Sequence, residues 1–355
     1  MKRYNRHIIL SEIGLEGQNK INKAKVLVIG AGGLGCPVLQ YLAAAGVGTL
    51  GIVDADNVDV TNLQRQILFG TKSLGQNKAE AAKERLFDIN PTINFEVYPF
   101  YLEVSNALDI IKNYDIVVDG TDNFTTRYLV NDACVSLDKP LVSASIFKFE
   151  GQLSVFNYKS GPSYRCLFPN PPEPGSMPSC SDIGVLGVLP GILGTLQANE
   201  VLKIILELGD VLSGKLLIFN ALNLNNHQIQ FAKNEIEFAK GKLSKTEFEN
   251  MDYHYFCGLE KPEHIEEVDG LDQFNDENSC IVDVREFDER PKLYHLNLMH
   301  IPLSIFDEKC HHLEKQDRIV LVCKSGVRSK KAASKLIKKG YKHIFSLKDG
   351  VDGLG

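Results

Sequence analysis

Along this chain, short apolar runs rich in β-branched residues alternate with longer segments whose apolar positions recur every three or four residues. The first run, KVLVIG from Lys25 to Gly30, passes directly into AGGLG and then into CPVLQYLAAAG, which predicts a strand, a glycine turn and a helix. A second buried strand is predicted for TLGIVD, Thr49 to Asp54, so the chain opens with a βαβ unit of a parallel sheet. The pattern then repeats. Helix-like VSNALDIIKNY precedes strand-like DIVVDG, Asp115 to Gly120; helix-like TRYLVNDACVSL precedes PLVSASI; and GQLSVFN adds a further strand. From Gly161 to Gly191 proline, glycine and serine dominate, which predicts a long loop of the functional or disordered kind. A helical segment, LGTLQANEVLKIILEL, and two strands, KLLIFNAL and NHQIQFA, follow.

From Lys233 to Pro262 the chain is polar and charged, and acidic residues dominate between Glu260 and Arg290, which reads as a solvated connection and domain face. A second, shorter series begins at CIVDVR, continues with RIVLVC and the basic helix RSKKAASKLIKKG, and ends at HIFSLK. The expected architecture is α/β: a Rossmann-like nucleotide-binding domain with a large, mostly parallel sheet over residues 1–245, a linker over 246–262, and a small α/β domain over 263–355.

Composition narrows the function classes. With 355 residues, 44% apolar and 24% charged, the chain is long enough for two ordinary cores, which excludes global disorder. A net charge of -6 supplies no general basic field, so direct nucleic-acid binding and attachment to acidic lipid are not expected. No apolar run reaches a membrane span, MKRYNRHIIL lacks the features of a signal peptide, and the 8 cysteines are scattered, so a cytoplasmic protein with reduced thiols is expected.

Gly30, Gly32 and Gly35 in GAGGLG satisfy G-x-G-x-x-G between a strand and a helix, where backbone N–H groups meet a phosphate. Asp54, at the end of the second strand, stands where a carboxylate binds ribose hydroxyls. Close helix–strand packing alone also explains such glycines, and a nicotinamide dehydrogenase shares them. What favours a triphosphate is the set that follows: TNLQRQ from Thr61 to Gln66, GQNK ending at Lys78, and DGTDNFTTR from Asp119 to Arg127. Arg65 and Lys78 are suited to neutralise phosphates and Asp122 to hold magnesium, as nucleotidyl transfer requires. GDVLSGKL, Gly209 to Leu216, imitates a phosphate-binding loop, but Leu216 occupies the hydroxyl position and the segment runs from helix to strand, the reverse of the required order.

With RYNRHIIL, GAGGLG, TNLQRQ, GQNK and GTDN in this order, the first 250 or so residues resemble the ThiF/MoeB family, relatives of ubiquitin-activating enzymes. The resemblance implies ATP-dependent adenylation of the C-terminal glycine of a small ubiquitin-like sulfur-carrier protein ending in Gly-Gly, in molybdenum cofactor, thiamine or tRNA-thiolation chemistry. It implies that Gly33 and Asp54 contact ATP, that Asn62, Arg65 and Lys78 handle its phosphates, with Thr61, Leu63 and Gln64 of the same segment also cofactor-binding, that Asp122 binds magnesium with Asn123 beside it, and that Arg6 reaches across a homodimer. The family's reactive cysteine matches Cys180 in SCSDIG, within the long loop; a free surface thiol is the bland alternative. The family also commonly carries two C-x-x-C pairs that bind structural zinc. Here the pairs are Ser163 with Cys166 and His254 with Cys257, so Cys166, His254 and Cys257 offer three ligands where a closed site needs four, and a relict site held by packing is the other reading.

Cys323 ends a strand and opens CKSGVRS before a helix, which places its sulfur among backbone N–H groups at a positive helix end, with Lys324 and Arg328 adding charge for a thiolate or persulfide. DVRE, Asp283 to Glu286, together with CKSGVRS, resembles a rhodanese domain over roughly residues 263 to 355, in which the cysteine carries sulfane sulfur received from a persulfide donor such as a cysteine desulfurase. The last helix is expected to be short or missing after DGVDGLG. Two other readings remain at this stage: an NAD-dependent dehydrogenase with a thiol appendage, disfavoured by TNLQRQ and Lys78, and a non-enzymatic redox or interaction module in which Cys323 only packs.

Overall fold

The computed structural model describes residues 2–173, 184–258, 265–276, 278–287, 289–295, 297–313 and 318–354. The chain divides into two compact units, Met1–Leu259 and Glu260–Gly355. The sheet of the first unit contains β1 (Lys25–Ile29), β2 (Thr49–Val53), β3 (Asn94–Tyr98), β4 (Ile116–Asp119), β5 (Leu141–Phe147), β6 (Glu150–Phe156), β7 (Lys215–Asn220) and β8 (Asn226–Gln230). Their order is β3-β2-β1-β4-β5-β6-β7-β8, with parallel pairing from β3 to β5 and antiparallel pairing beyond. Strand order reverses direction between β1 and β4, and a doubly wound sheet opens a crevice at the carboxyl ends of such a pair.

Alternation along β1 builds two cores. Val26 and Val28 enter one cluster with Leu39, Ala79, Leu193 and Val201, from helices Gly35–Ala45, Lys78–Ile89 and Val188–Leu206. Leu27 and Ile29 enter the other with Ile110, Leu129 and Ala133, from helices Val104–Ile111 and Phe124–Ser136. Both faces of the parallel strands are thereby covered, and near-continuous apolar runs such as KVLVI, rather than a half-polar alternation, are the result.

The segment expected to be a linker is a correction. Helices Lys245–Glu249 and Tyr253–Phe256 lie within it, and Phe248, Tyr253 and Cys257 are buried in the second cluster of the first unit. Three apolar side chains recurring in a charged stretch are sufficient to dock both helices, which a composition average conceals.

In the second unit, β9 (Glu266–Val268), β10 (Ser279–Asp283), β11 (Leu298–His300), β12 (Arg318–Val322) and β13 (Ile344–Leu347) form a parallel sheet in the order β11-β10-β12-β13-β9. Helix Val327–Lys338 packs Ala332, Ala333 and Leu336 against it and leaves its lysines outward. A 3-10 turn, Gly350–Leu354, stands where the last helix was expected to be short.

Candidate functional site

The glycine turn of the first unit is built by close backbone approach. Gly30 adopts φ +90, and a Cβ on Gly35 would lie 1.8 Å from the Gly30 carbonyl oxygen, so neither position accepts a side chain. Gly120, at the end of β4, lies against the same carbonyl: a Cβ on Gly30 would meet the Gly120 oxygen at 3.0 Å. Gly35 and Gly30 thus permit a close backbone approach at this turn. Gly32 is open, with Gln66 Nε2, at 3.8 Å, the only neighbour of its would-be Cβ among the described residues, and the Gly33 site is bounded by Pro190 and the aliphatic stem of Arg65.

Asp54 follows β2 and accepts the Ala31 N–H at 2.8 Å and the Asp56 N–H at 2.9 Å, which locks the carboxylate beside the turn. Burial pushes the Asp54 carboxyl up, and Lys78 and these two N–H groups oppose that rise. Lys78 is buried and reaches Asp56 at 2.9 Å, while Asn77 caps its helix and also donates to the Asp54 carbonyl at 3.1 Å. One short segment thus ties the first residues after β2 to the lysine.

Residues Thr61 to Gln66 follow an Asp59–Asn62 capping box. Thr61 donates to Asp59, Leu63 packs on the core, and Arg65 donates to the Thr61 carbonyl at 3.0 Å. Gln64 lies against Gly187, where a Cβ would meet its side-chain oxygen at 2.4 Å, and Gln66 is buried with its Oε1 making no hydrogen bond among the described residues. After β4, Asp119 accepts Thr121 N and Oγ1 at 2.9 and 2.6 Å on one oxygen and Ser143 Oγ at 2.9 Å on the other. These bonds fix the turn that presents Asp122, which is exposed, as is Asn123, whose side chain caps helix Phe124–Ser136. Arg127 donates to the Thr121 carbonyl at 2.9 Å, and its buried Nε, which makes no hydrogen bond among the described residues, stands 3.9 Å from Asp119 Oδ2.

The structure therefore brings the glycine turn, the Asp54 segment, residues 61–66 and the Asp119–Asp122 turn to the carboxyl ends of β1, β2 and β4. The open face of Gly32 and the buried Gln66 Oε1, which has no hydrogen-bond partner among the described residues, fit a polar ligand in this crevice. Arg6 is exposed on the short helix Asn5–Ile8. Cys180 lies outside the described residues.

The suggested zinc ligands do not fit zinc. Cys166 Sγ contacts Ser163 Oγ at 3.4 Å and donates to the Asn234 carbonyl at 3.5 Å, His254 is exposed, and burial pushes the Cys257 thiol up, opposed by its bond with Thr125. Among the described residues no three His, Cys, Asp or Glu side chains converge as a metal group. A buried ion pair joins these segments instead. Arg165 donates from Nε and Nη2 to the two Asp132 oxygens at 2.7 Å each, and Tyr253 donates to Asp132 at 2.9 Å. Burial works against the Arg165 charge, and the Asp132 bonds outweigh it and hold the guanidinium above its ordinary range. The same guanidinium lies over the rings of Phe256 and Tyr128, 4.5 and 5.0 Å from their centroids.

In the second unit Cys323 follows β12 and is buried, with its sulfur 3.4 Å from Ser329 Oγ. Ser329 donates to the Gly326 carbonyl at 2.9 Å and pairs with Ser346 at 2.8 Å, so the sulfur rests on a hydroxyl chain under the loop. Gly326 takes φ +80 and starts helix Val327–Lys338. The 3-10 turn closes the loop from behind: Val351 N donates to the Cys323 carbonyl at 2.9 Å and Asp352 N to that of Lys324 at 3.1 Å. A Cβ on Gly350, whose φ is +63, would stand 2.3 Å from the Lys324 oxygen. Asp283 and Arg285 form a second buried pair behind the loop, at 2.7 Å.

Comparison with known proteins agrees with both halves. The ThiF family model matches residues 4–237 and a rhodanese-like domain model matches residues 267–354. A sulfur carrier protein adenylyltransferase of Thermus thermophilus is 49% identical over 264 residues, 73% of this chain and 97% of the relative. The adenylyltransferase/sulfurtransferase MoeZ of Mycobacterium tuberculosis is 40% identical over 364 residues, 98% of this chain and 91% of the relative. The adenylyltransferase and sulfurtransferase MOCS3 of Sus scrofa is 44% identical over 328 residues, 89% and 70% of the two chains. Among solved structures, E. coli MccB with a MccA derivative superposes with a TM-score of 0.58 at 24% identity, covering 65% of this chain and 72% of that one, which shows the fold of the first unit.

Proposed function

We propose, from the premise that this chain belongs to the ThiF family and carries a C-terminal rhodanese-like domain, that it uses ATP to activate the terminal carboxylate of a ubiquitin-like sulfur carrier ending in Gly-Gly and then replaces the activated oxygen with sulfur held on Cys323. Adenylyltransferase and sulfurtransferase are the two activities of its family and domain. The observation that carries the combined reading is the presence, in one chain, of a nucleotide crevice at reversed strand ends and a glycine-closed loop around a buried cysteine.

A carboxylate is a poor electrophile. In the proposed first step a carrier carboxylate oxygen bonds to the α-phosphorus as the bond to pyrophosphate breaks, which gives an acyl-adenylate whose leaving group is AMP. Asp54 would hold the ribose; the backbone at Gly32 and Gly33, with Asn62, Arg65 and Lys78, would take the phosphates; Asp122 would hold magnesium, with Asn123 beside it. Magnesium, when bound, supplies charge neutralisation on the phosphates. Lys78 is paired with Asp56 and buried, so its phosphate role includes turning from that partner or sharing it. In the second step persulfide sulfur on Cys323 attacks the acyl carbon and AMP leaves. That leaves an acyl disulfide on Cys323. The Cys180 thiolate is assigned the next exchange, in which it bonds to the Cys323 sulfur, the bond to the outer sulfur breaks, and the thiocarboxylate leaves with the electron pair. The Cys180–Cys323 disulfide is returned to thiols by a cellular dithiol reductant, and Arg6 is assigned a contribution across a homodimer.

The donor class proposed for Cys323 is a protein persulfide such as that of a cysteine desulfurase. Chemistry that depends on free thiols suits the cytoplasm, and no helix among the described residues is long and apolar enough to cross a membrane. The pathway follows the carrier: molybdenum cofactor, thiamine or tRNA thiolation. The test is exchange of labelled pyrophosphate into ATP with magnesium and each carrier in turn. Exchange that appears only with a carrier having a free Gly-Gly end supports the reading, and exchange at full rate with no carrier overturns it.

A further inference from the structure

The Cys323 loop carries two cations, Lys324 and Arg328, and one of them is already occupied. Arg328 donates from Nη1 and Nη2 to the two carboxylate oxygens of Glu289 at 2.5 and 2.7 Å, the bidentate arrangement that is the strongest open to a guanidinium. Glu289 is itself fixed, because its Oε1 accepts the Glu286 N–H at 2.9 Å, and Glu286 accepts Ser304 Oγ at 2.9 Å. The Arg328 bond holds the Glu289 carboxyl down to about 2, so the pair is charged at every working pH. Arg328 also lies in the field of Cys323 and of Glu286. Two carboxylates thus act on Arg328, one of the two cations of the loop.

We infer that Glu289 is a specificity-determining residue for the sulfur donor: by occupying the Arg328 fork it withholds the guanidinium that a sulfonate would bind, and so favours hydropersulfides over the thiosulfate dianion. Both donors give the same product without an oxidant. With thiosulfate, the Cys323 thiolate bonds to the outer sulfur, the S–S bond breaks, and sulfite leaves with the electron pair. With a hydropersulfide R–S–SH, the thiolate bonds to the terminal sulfur, which keeps its proton, and R–S⁻ leaves. What differs is the charge that must approach the loop, two units against none or one.

This inference rests on Cys323 as the sulfur carrier, and the experiment separates the two. Sulfur loading of the full chain is measured with thiosulfate and with cysteine hydropersulfide, in the parent protein and in Glu289→Gln, Glu289→Asp and Cys323→Ala. The expected result for Glu289→Gln is a gain of about five- to tenfold in kcat/KM for thiosulfate, mostly through KM, that shrinks with added salt, against less than about twofold for the hydropersulfide. Glu289→Asp, which keeps the charge, retains the parent preference. A parallel fall with both donors, as a merely structural role predicts, or an unchanged thiosulfate rate, overturns the inference. Loading that survives Cys323→Ala overturns instead the assignment of Cys323.

Discussion

The two candidate sites of this chain share one local plan, a strand that ends in a glycine-containing turn ahead of a helix, but they assemble it over different distances. Around Gly30 the side chains come from four separate segments, with Asp54, Arg65, Lys78 and Asp122 each set by its own cap or turn. Around Cys323 the six residues from Cys323 to Arg328 supply the sulfur, both cations and the start of the helix. A site dispersed over strand ends adapts to a large substrate with several charges, whereas a contiguous loop holds one atom. The electrostatics differ in form: in the first unit Lys78 and Arg127 each face a carboxylate of a neighbouring strand end, Asp56 and Asp119, and Arg65 donates to a backbone carbonyl, while in the second Arg328 is held bidentately by Glu289 with Glu286 adding its field.

Asp122→Asn gives the largest expected contrast. Pyrophosphate exchange should fall by about 10²–10³-fold while sulfur loading of Cys323 is unchanged, because Asp122 and Cys323 belong to separate compact units. A fall in both activities would show that the sites do not act separately. Next comes Asp132→Asn, which strands the buried Arg165 guanidinium; a loss of about 3–5 kcal/mol in urea unfolding is expected, and a loss under about 1 kcal/mol would mean that the ion pair is not what holds these segments.

A smaller effect concerns acid. Glu289 titrates in the folded chain at about 2, below its unfolded value, so the stability it contributes is present above roughly pH 4.3 and is lost as pH falls toward 2. The stability difference between the parent and Glu289→Gln should be flat above about pH 5 and vanish near pH 2; a difference that titrates near neutrality contradicts the pairing. The smallest expected effect is none at all: a zinc chelator should leave the melting of the first unit unmoved, since Ser163 and the exposed His254 do not complete a site with Cys166 and Cys257.

Legibility in the sequence tracked the range of each interaction. KVLVI, TLGIV, IVVD and RIVLV read as strands because burial on both faces writes a continuous apolar run, and GAGGLG read as a turn because its glycines meet backbone within one βαβ unit. Edge strands β3, β9 and β11 carry half-polar or three-residue signals that no local pattern resolves. The Asp132–Arg165–Tyr253 node was invisible because its members are 33 and 121 residues apart, although Phe248, Tyr253 and Phe256 in a charged stretch were a usable sign of docked helices. Glu289 and Gly350 were missed for the same reason: each acts on the Cys323 loop from another segment, and only the fold shows a carboxylate on Arg328 or a tight approach to the Lys324 carbonyl.

The central claim is that one chain activates a carrier at the first site and supplies its sulfur from the second. Its most direct test is the intact mass of each carrier after incubation with ATP, magnesium and a persulfide donor, using the parent protein and Cys323→Ala. The account predicts an oxygen-to-sulfur mass gain that disappears in Cys323→Ala while AMP is still formed. A carrier that gains sulfur equally well without Cys323 would contradict it and leave the chain an adenylyltransferase whose second unit is not the donor.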